Sequence, residues 1–291
     1  MNSPRRTNHL LALIALVAAF TWGGSVLSGQ EPAPAVETDP RVEARTYVFP
    51  ETGETIPYSL FVPSDYDASR EWPLIVSLHA AGRTNESWLT DYDGMLDLAE
   101  QYGYIVASPL GYHPRGYYGS LGPGQATQSL EQAGQLTPDL PSNLGELSEQ
   151  DVMNVFGMAQ REFNIDDDRI YLLGHSMGGI GTLHLAATYP DIWAGIAVVA
   201  PGSQPVKTDW SEQIGKLTHI PAFMIQGDAD NYMPVSRGVA ATMKELGMPH
   251  VYLVIKGGDH TRFIMQNPEV LSKIYSFFNI VHKNQRPESS G

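Results

Sequence analysis

From Arg41 onward, short runs of β-branched and aliphatic residues alternate with segments whose apolar positions recur every three or four residues. That rhythm predicts an α/β fold built on a mostly parallel sheet. Val42 to Val48 and Ile56 to Val62 read as opening strands joined by the turn ETGET, a hairpin at the sheet edge. Pro73 to His79 (PLIVSLH) and Tyr104 to Ala107 read as buried strands. Between them a helix is expected over Asp91 to Tyr102, with Met95, Leu96, Leu98 and Ala99 on one side. Ser148 is expected to cap a helix reaching Phe163, whose Val152, Val155, Phe156 and Met158 form a core stripe. RIYLLGHS then gives a strand and MGGIGTLHLAATYP a helix ended by Pro190. Strands at Ala194 to Ala200, Ala222 to Gln226 and His250 to Ile255, with helices at Val235 to Leu246 and Pro268 to Val281, complete a series of about eight strands. Helices are expected on both faces of such a sheet.

One segment breaks the rhythm. Residues 111–147, rich in Gly, Pro, Gln and Tyr, are far longer than the ~2–6 residues usual between α/β elements. They follow the C-terminal end of a strand, the edge at which open parallel sheets hold ligands. The segment is expected to be a lid-like insertion over the site, with a surface loop touching no substrate as the competing reading.

The N-terminus has its own composition. Arg5 and Arg6 precede an unbroken apolar run from Leu10 to Phe20, and small residues follow at Gly23, Gly24, Ser25, Ser28 and Gly29. This is the layout of a secretory signal peptide over residues 1–29, with an exposed leader over 30–40 and one folded domain over 41–291. The run is 11 residues long, against the ~20 a bilayer core requires, so a stable membrane anchor is not expected. The expected location is therefore secreted or periplasmic.

Composition narrows the chemistry. With 42% hydrophobic residues in 291, the chain can bury a sizeable core. It has no cysteine, which excludes disulfides, a thiol nucleophile and thiolate metal sites. A formal charge of −14 repels phosphate backbones, so nucleic acid is not an expected partner. No residue spacing suggests a metal site, and DDD at Asp166 to Asp168 reads as a solvated turn before a strand. No cofactor is expected.

The strand-to-helix junction GHSMGG carries the candidate chemistry. Ser176 ends a buried strand and begins a helix, a reversal that projects its Oγ above the sheet. Gly174 and Gly178 suit that turn because a Cβ at either place would collide across it. A serine needs a base to take its proton, and a carboxylate to orient the base. Of nine histidines, His260 in IKGGDHTRF follows the last strand in a glycine-bearing loop at the same sheet edge. The preceding strand ends in GDADNYMP and offers Asp228 and Asp230; Asp230 is preferred because the turn first carries the chain out of the sheet. Asp228 is expected to brace that turn. Asp259, adjacent to the base, is expected to point away from its ring.

GHSMGG, GDADNYMP and GGDH, in that order after SLHAAGR, resemble the serine-hydrolase branch of the α/β-hydrolase superfamily. NIDDDRIYLLGHSMGG is especially similar to secreted feruloyl and acetylxylan esterases and polyhydroxybutyrate depolymerases, and also to the catalytic domain of prolyl-oligopeptidase-like peptidases. The resemblance covers Pro73 to the C-terminus. It implies the α/β-hydrolase fold, a catalytic triad of Ser176, Asp230 and His260, and an oxyanion hole from the amides of Ala81 and Met177. Relatives usually carry glycine after the histidine corresponding to His79, whereas this chain has Ala80, which leaves open which amide faces the oxyanion.

The implied activity is hydrolysis of carboxylic esters, small or polymer-linked, by an acyl-enzyme route. Trp88, Tyr112, Tyr117, Tyr118, Tyr232 and Phe263 are expected near the catalytic edge, as an aromatic cleft for substrate or as ordinary packing. A peptidase of the prolyl-oligopeptidase type and a non-catalytic binding module on the same fold are the alternatives.

Overall fold

The computed structural model describes residues 39–135, 137, 139–202 and 210–285. The expected signal peptide, and all but the last residues of the expected leader, lie outside them. In chain order the elements are β1 (Glu43–Val48), β2 (Thr55–Phe61), β3 (Trp72–Leu78), α1 (Ser87–Thr90), α2 (Met95–Tyr102), β4 (Ile105–Pro109), α3 (Gln125–Gln132) and α4 (Leu144–Glu162). Then come β5 (Ile165–His175), α5 (Met177–Thr188), β6 (Gly195–Val199), α6 (Trp210–Gly215), β7 (Ala222–Gly227), α7 (Met233–Glu245), β8 (His250–Ile255), α8 (Arg262–Met265) and α9 (Pro268–Phe278).

The eight strands form one sheet in the order β1-β2-β4-β3-β5-β6-β7-β8. β1 and β2 are an antiparallel hairpin at the edge, β2 meets β4 antiparallel, and every pairing from β4 to β8 is parallel. Parallel strands need crossovers, and the helices supplying them bury both faces. Alternation along the strands sorts the core: Leu74, Val76, Leu78, Ile170 and Leu172 face Val152, Leu183 and Val239 of α4, α5 and α7. Ile75, Tyr171 and Leu173 face Leu96, Phe263 and Leu271 of α2, α8 and α9. The central strands are buried on both faces, and one of them, β5, delivers Ser176.

Several expectations are corrected. Ser148 is not a cap, because α4 begins one turn earlier at Leu144; Ser148 is buried within the helix and its Oγ accepts a hydrogen bond from Tyr118 N (3.0 Å). Asp166 to Asp168 do not form a turn before a strand. They lie in β5, where a register irregularity against β3 lets Ile165 pair with Trp72 before the regular ladder starts at Ile170.

The 111–147 insertion is not a bare loop. It contains a 3₁₀ turn at Tyr117–Gly119, α3 and the first turn of α4, with a small core of Leu121, Ala126, Leu130 and Leu144. It is tied down at its start. Tyr118 is fully buried with its hydroxyl on the His79 carbonyl (3.2 Å), Tyr112 N donates to Asp151 Oδ2 (2.8 Å), and the Tyr118 ring occupies the space a Cβ on Gly181 of α5 would need.

Candidate active site

β5 ends at His175, and the chain reverses at once into α5. The junction residue Ser176 has φ 57° and ψ −113°, a conformation unfavourable for any residue with a Cβ. Neighbouring strands hold it there: Ser176 N donates to Val199 O at the end of β6 (2.9 Å), and Gly202 N donates to Ser176 O (3.2 Å). A Cβ on Gly174 would overlap the Gly178 carbonyl, and one on Gly178 would overlap the Leu78 carbonyl at the end of β3. Glycine at these two places is therefore a steric requirement of bringing β3, β5 and α5 together.

His260 lies in the loop between β8 and α8, and Asp230 in the loop between β7 and α7. The structure brings both to Ser176. His260 Nε2 is 2.8 Å from Ser176 Oγ and His260 Nδ1 is 2.6 Å from Asp230 Oδ2. A carboxylate only accepts, so Nδ1 carries the ring proton and Nε2 presents its lone pair to the serine hydroxyl. Asp230 is almost wholly buried; its Oδ2 also accepts from Gln226 Nε2 (2.6 Å), and its Oδ1 from Tyr232 N (2.9 Å). Asp228 faces elsewhere and accepts from Gly257 N (2.6 Å), bracing the turn. Asp259 accepts from Thr261 N and Arg262 N, away from the ring.

The two amides named for an oxyanion lie at the start of α5 and in the loop after β3. Met177 is the first residue of α5, so its N–H has no intrahelical acceptor. In the loop after β3, Gly82 N and Arg83 N are taken by the carbonyls of Pro114 and Ala80, whereas Ala81 N makes no hydrogen bond among the described residues. His79 is buried between the carbonyls of Ala80 (2.8 Å) and Leu110 (2.7 Å), which ties this loop to the end of β4. Burial holds its imidazole below the ordinary histidine range.

The aromatics expected near the catalytic edge divide into two groups. Tyr232 packs edge-on against the His260 ring at 4.9 Å, and Tyr117 is half-buried at the start of the insertion. Trp88 and Tyr118 are corrections: each is buried inside the protein, Trp88 with its indole N–H on Leu78 O (2.7 Å), so neither offers a face to a substrate. Phe263 is buried in the core and Tyr112 gives its hydroxyl to Glu54. The sequence reasoning missed Gln226. Its signal was there, a lone amide in the otherwise apolar strand AFMIQG, since a buried polar side chain needs a partner.

A mostly parallel eight-stranded sheet, with a serine on a strained strand-to-helix turn and a histidine and an aspartate on the loops after the last two strands, defines an α/β-hydrolase. The esterase family model matches residues 50–236, and the chain belongs to that family. An acetylxylan esterase of Coprinopsis cinerea is 27% identical over 48% of this chain, and feruloyl esterase B of Talaromyces stipitatus 27% identical over 56%. The matches span 35% and 43% of those relatives' lengths. An S-formylglutathione hydrolase structure from Agrobacterium tumefaciens superposes with a TM-score of 0.64 at 14% identity, covering 81% of this chain and 94% of its own. Among the described residues no helix is long and apolar enough to cross a membrane.

Proposed function

We propose that the protein is an exported serine esterase that cleaves carboxylic esters through an acyl-enzyme, with Ser176 as nucleophile, His260 as base and Asp230 as orienting acid. The observation that carries this is the unbroken hydrogen-bond chain from Asp230 Oδ2 through both ring nitrogens of His260 to Ser176 Oγ.

As Oγ bonds to the ester carbonyl carbon, its proton passes to His260 Nε2 and the carbonyl electron pair moves onto oxygen. The amides of Met177 and Ala81, with the positive end of α5, stabilise that oxygen; each such donor contributes about 3–4 kcal/mol in hydrolases of this kind. Collapse breaks the bond to the alcohol oxygen, which takes the proton from Nε2. Water then repeats the sequence on the acyl-serine, and the carboxylic acid leaves. Asp230 stays ionised and stabilises the imidazolium in both halves.

Acetylated or feruloylated plant polymers are the proposed substrates, supported by the names of the two curated relatives. Tyr117 and Tyr232 are the proposed contacts for the acyl group. Export is supported by the charged, apolar and small-residue order of residues 1–29.

The test is a substrate panel of p-nitrophenyl acyl esters, methyl ferulate, acetylated xylan and proline-containing peptide amides, run with the native chain and Ser176→Ala. Ester cleavage abolished by Ser176→Ala is the expected result. Cleavage of the peptide amides without the esters, or no turnover and no labelling by a fluorophosphonate, overturns the proposal.

A further inference from the structure

The residue before the nucleophile has a placement that the reaction scheme leaves unused. His175 ends β5 and is buried at 1% exposure. Its Nε2 is 2.8 Å from the backbone carbonyl oxygen of His260, and its Nδ1 is 2.6 Å from the Tyr92 hydroxyl. A carbonyl oxygen only accepts, so Nε2 carries the proton and Nδ1 accepts from Tyr92. The neutral ring is thereby satisfied at both nitrogens.

Tyr92 is in turn stacked on Trp88, with ring centroids 3.8 Å apart and planes 17° from parallel. Trp88 donates its indole N–H to Leu78 O at the end of β3. A continuous buried brace therefore runs from β3, beside the loop of Ala80 and Ala81, through Trp88, Tyr92 and His175 to the peptide of His260.

The His260 loop needs such support. It contains Gly257, with φ +71°, and Gly258, and its ties to the β7–α7 loop, Gly257 N to Asp228 Oδ1 and Ala229 N to Gly258 O, stop short of His260. Asp230 holds the ring at Nδ1, and neither it nor those ties reaches the His260 carbonyl. A fixed point at that carbonyl limits rotation of the peptide and sets where Nε2 stands relative to Ser176 Oγ.

We propose that His175, aligned by Tyr92, is a positioning residue that holds the backbone of His260 so that its ring meets Ser176. The inference rests on the esterase reading above. His175 remains uncharged in this role. Burial, aided by the nearby His260, pushes its imidazole down to about 4, so at neutral pH it directs an N–H to the carbonyl without repelling the imidazolium that forms at His260.

Four substitutions test it: His175→Gln, His175→Asn, His175→Leu and Tyr92→Phe, each assayed for kcat and KM on p-nitrophenyl acetate, thermal midpoint and stoichiometry of fluorophosphonate labelling. Gln carries an amide N–H to the position of Nε2, whereas Asn supplies an acceptor for Tyr92 but no donor to the carbonyl. A displaced base loses on the order of 10²-fold. The expected pattern is about 10²-fold lower kcat for Asn and Leu with KM within about 2-fold, Gln within about 5-fold of the native kcat, and Tyr92→Phe in between. If Leu fails to fold, the Gln and Asn pair at matched thermal midpoints decides. Native kcat in folded Asn or Leu variants, or an equal loss in Gln, overturns the proposal. A native protein that cleaves no ester defeats the esterase reading instead, a result the unmodified chain delivers separately.

Discussion

Replacing Asp230 by Asn separates the geometry of the acid from its charge, and the outcome is set by the three donors that converge on this carboxylate. His260 Nδ1 and Gln226 Nε2 reach Oδ2, and Tyr232 N reaches Oδ1. In Asp230→Asn one carboxylate oxygen becomes an NH₂. With the remaining oxygen kept on Tyr232 N, the NH₂ faces His260 and Gln226. The Gln226 amide can turn over so that its Oε1, buried without a hydrogen-bond partner among the described residues, accepts from the new NH₂, while its own NH₂ leaves the Gly227 carbonyl, at a cost of about 1–3 kcal/mol. His260 must then accept at Nδ1 and carry its proton on Nε2, the tautomer that cannot deprotonate Ser176. The wrong tautomer in the reference Ser–His–Asp triad lowers kcat by about 10⁴-fold, or about 5.5 kcal/mol of barrier at ~1.4 kcal/mol per decade. The assay is the initial rate on p-nitrophenyl acetate at pH 7.5, normalised to active sites, with a urea melt alongside. Asp230→Asn is expected to fold within about 3 kcal/mol of native and to lose three to four orders of magnitude in kcat. Asp228→Asn, which keeps an oxygen for Gly257 N, is expected within about 3-fold of native. More than a tenth of native kcat in Asp230→Asn, or a comparable loss in Asp228→Asn, would refute the assignment.

Two further expectations come from strain and from burial. Ser176→Gly should unfold at higher urea than Ser176→Ala, by about 1–3 kcal/mol, because glycine tolerates φ 57° and alanine does not; equal midpoints would remove the claim of strain at the nucleophile. Asp151 is buried, and its carboxyl is pushed up to about 6, burial outweighing the hydrogen bonds from Tyr47 and the Tyr112 and Gly111 amides. The native state then holds a proton that the unfolded chain, titrating near 3.8, releases, so this contribution is full below about pH 4 and lost as pH rises through about 6. About two pKa units correspond to roughly 3 kcal/mol, and Asp151→Asn should flatten the pH 4–7 stability profile by up to that amount; identical profiles contradict the argument.

The strands, the elbow and the two loops carrying Asp230 and His260 were legible because each is a local pattern: an apolar run, a glycine forced by a close approach, a polar cluster at a strand's end. Trp88 and Tyr118 were not, because an aromatic in a loop is the same letter whether it faces solvent or the core. Only the Leu78 and His79 carbonyls that they meet decide. Ser148 misled for a related reason, since its hydroxyl satisfies an amide of a distant segment rather than its own helix end. The lone amide in AFMIQG signals that Gln226 needs a partner, but which groups Gln226 and His175 meet is decided only in the folded chain.

The insertion is rooted on α4 and wedged against α5, while the serine is gripped by the ends of β3, β5 and β6. The two sets of contacts do not overlap. A chimera receiving another protein's segment between 119 and 143, with Tyr118, Ser148 and Asp151 left as its moorings, is expected to keep the grip on Ser176 intact.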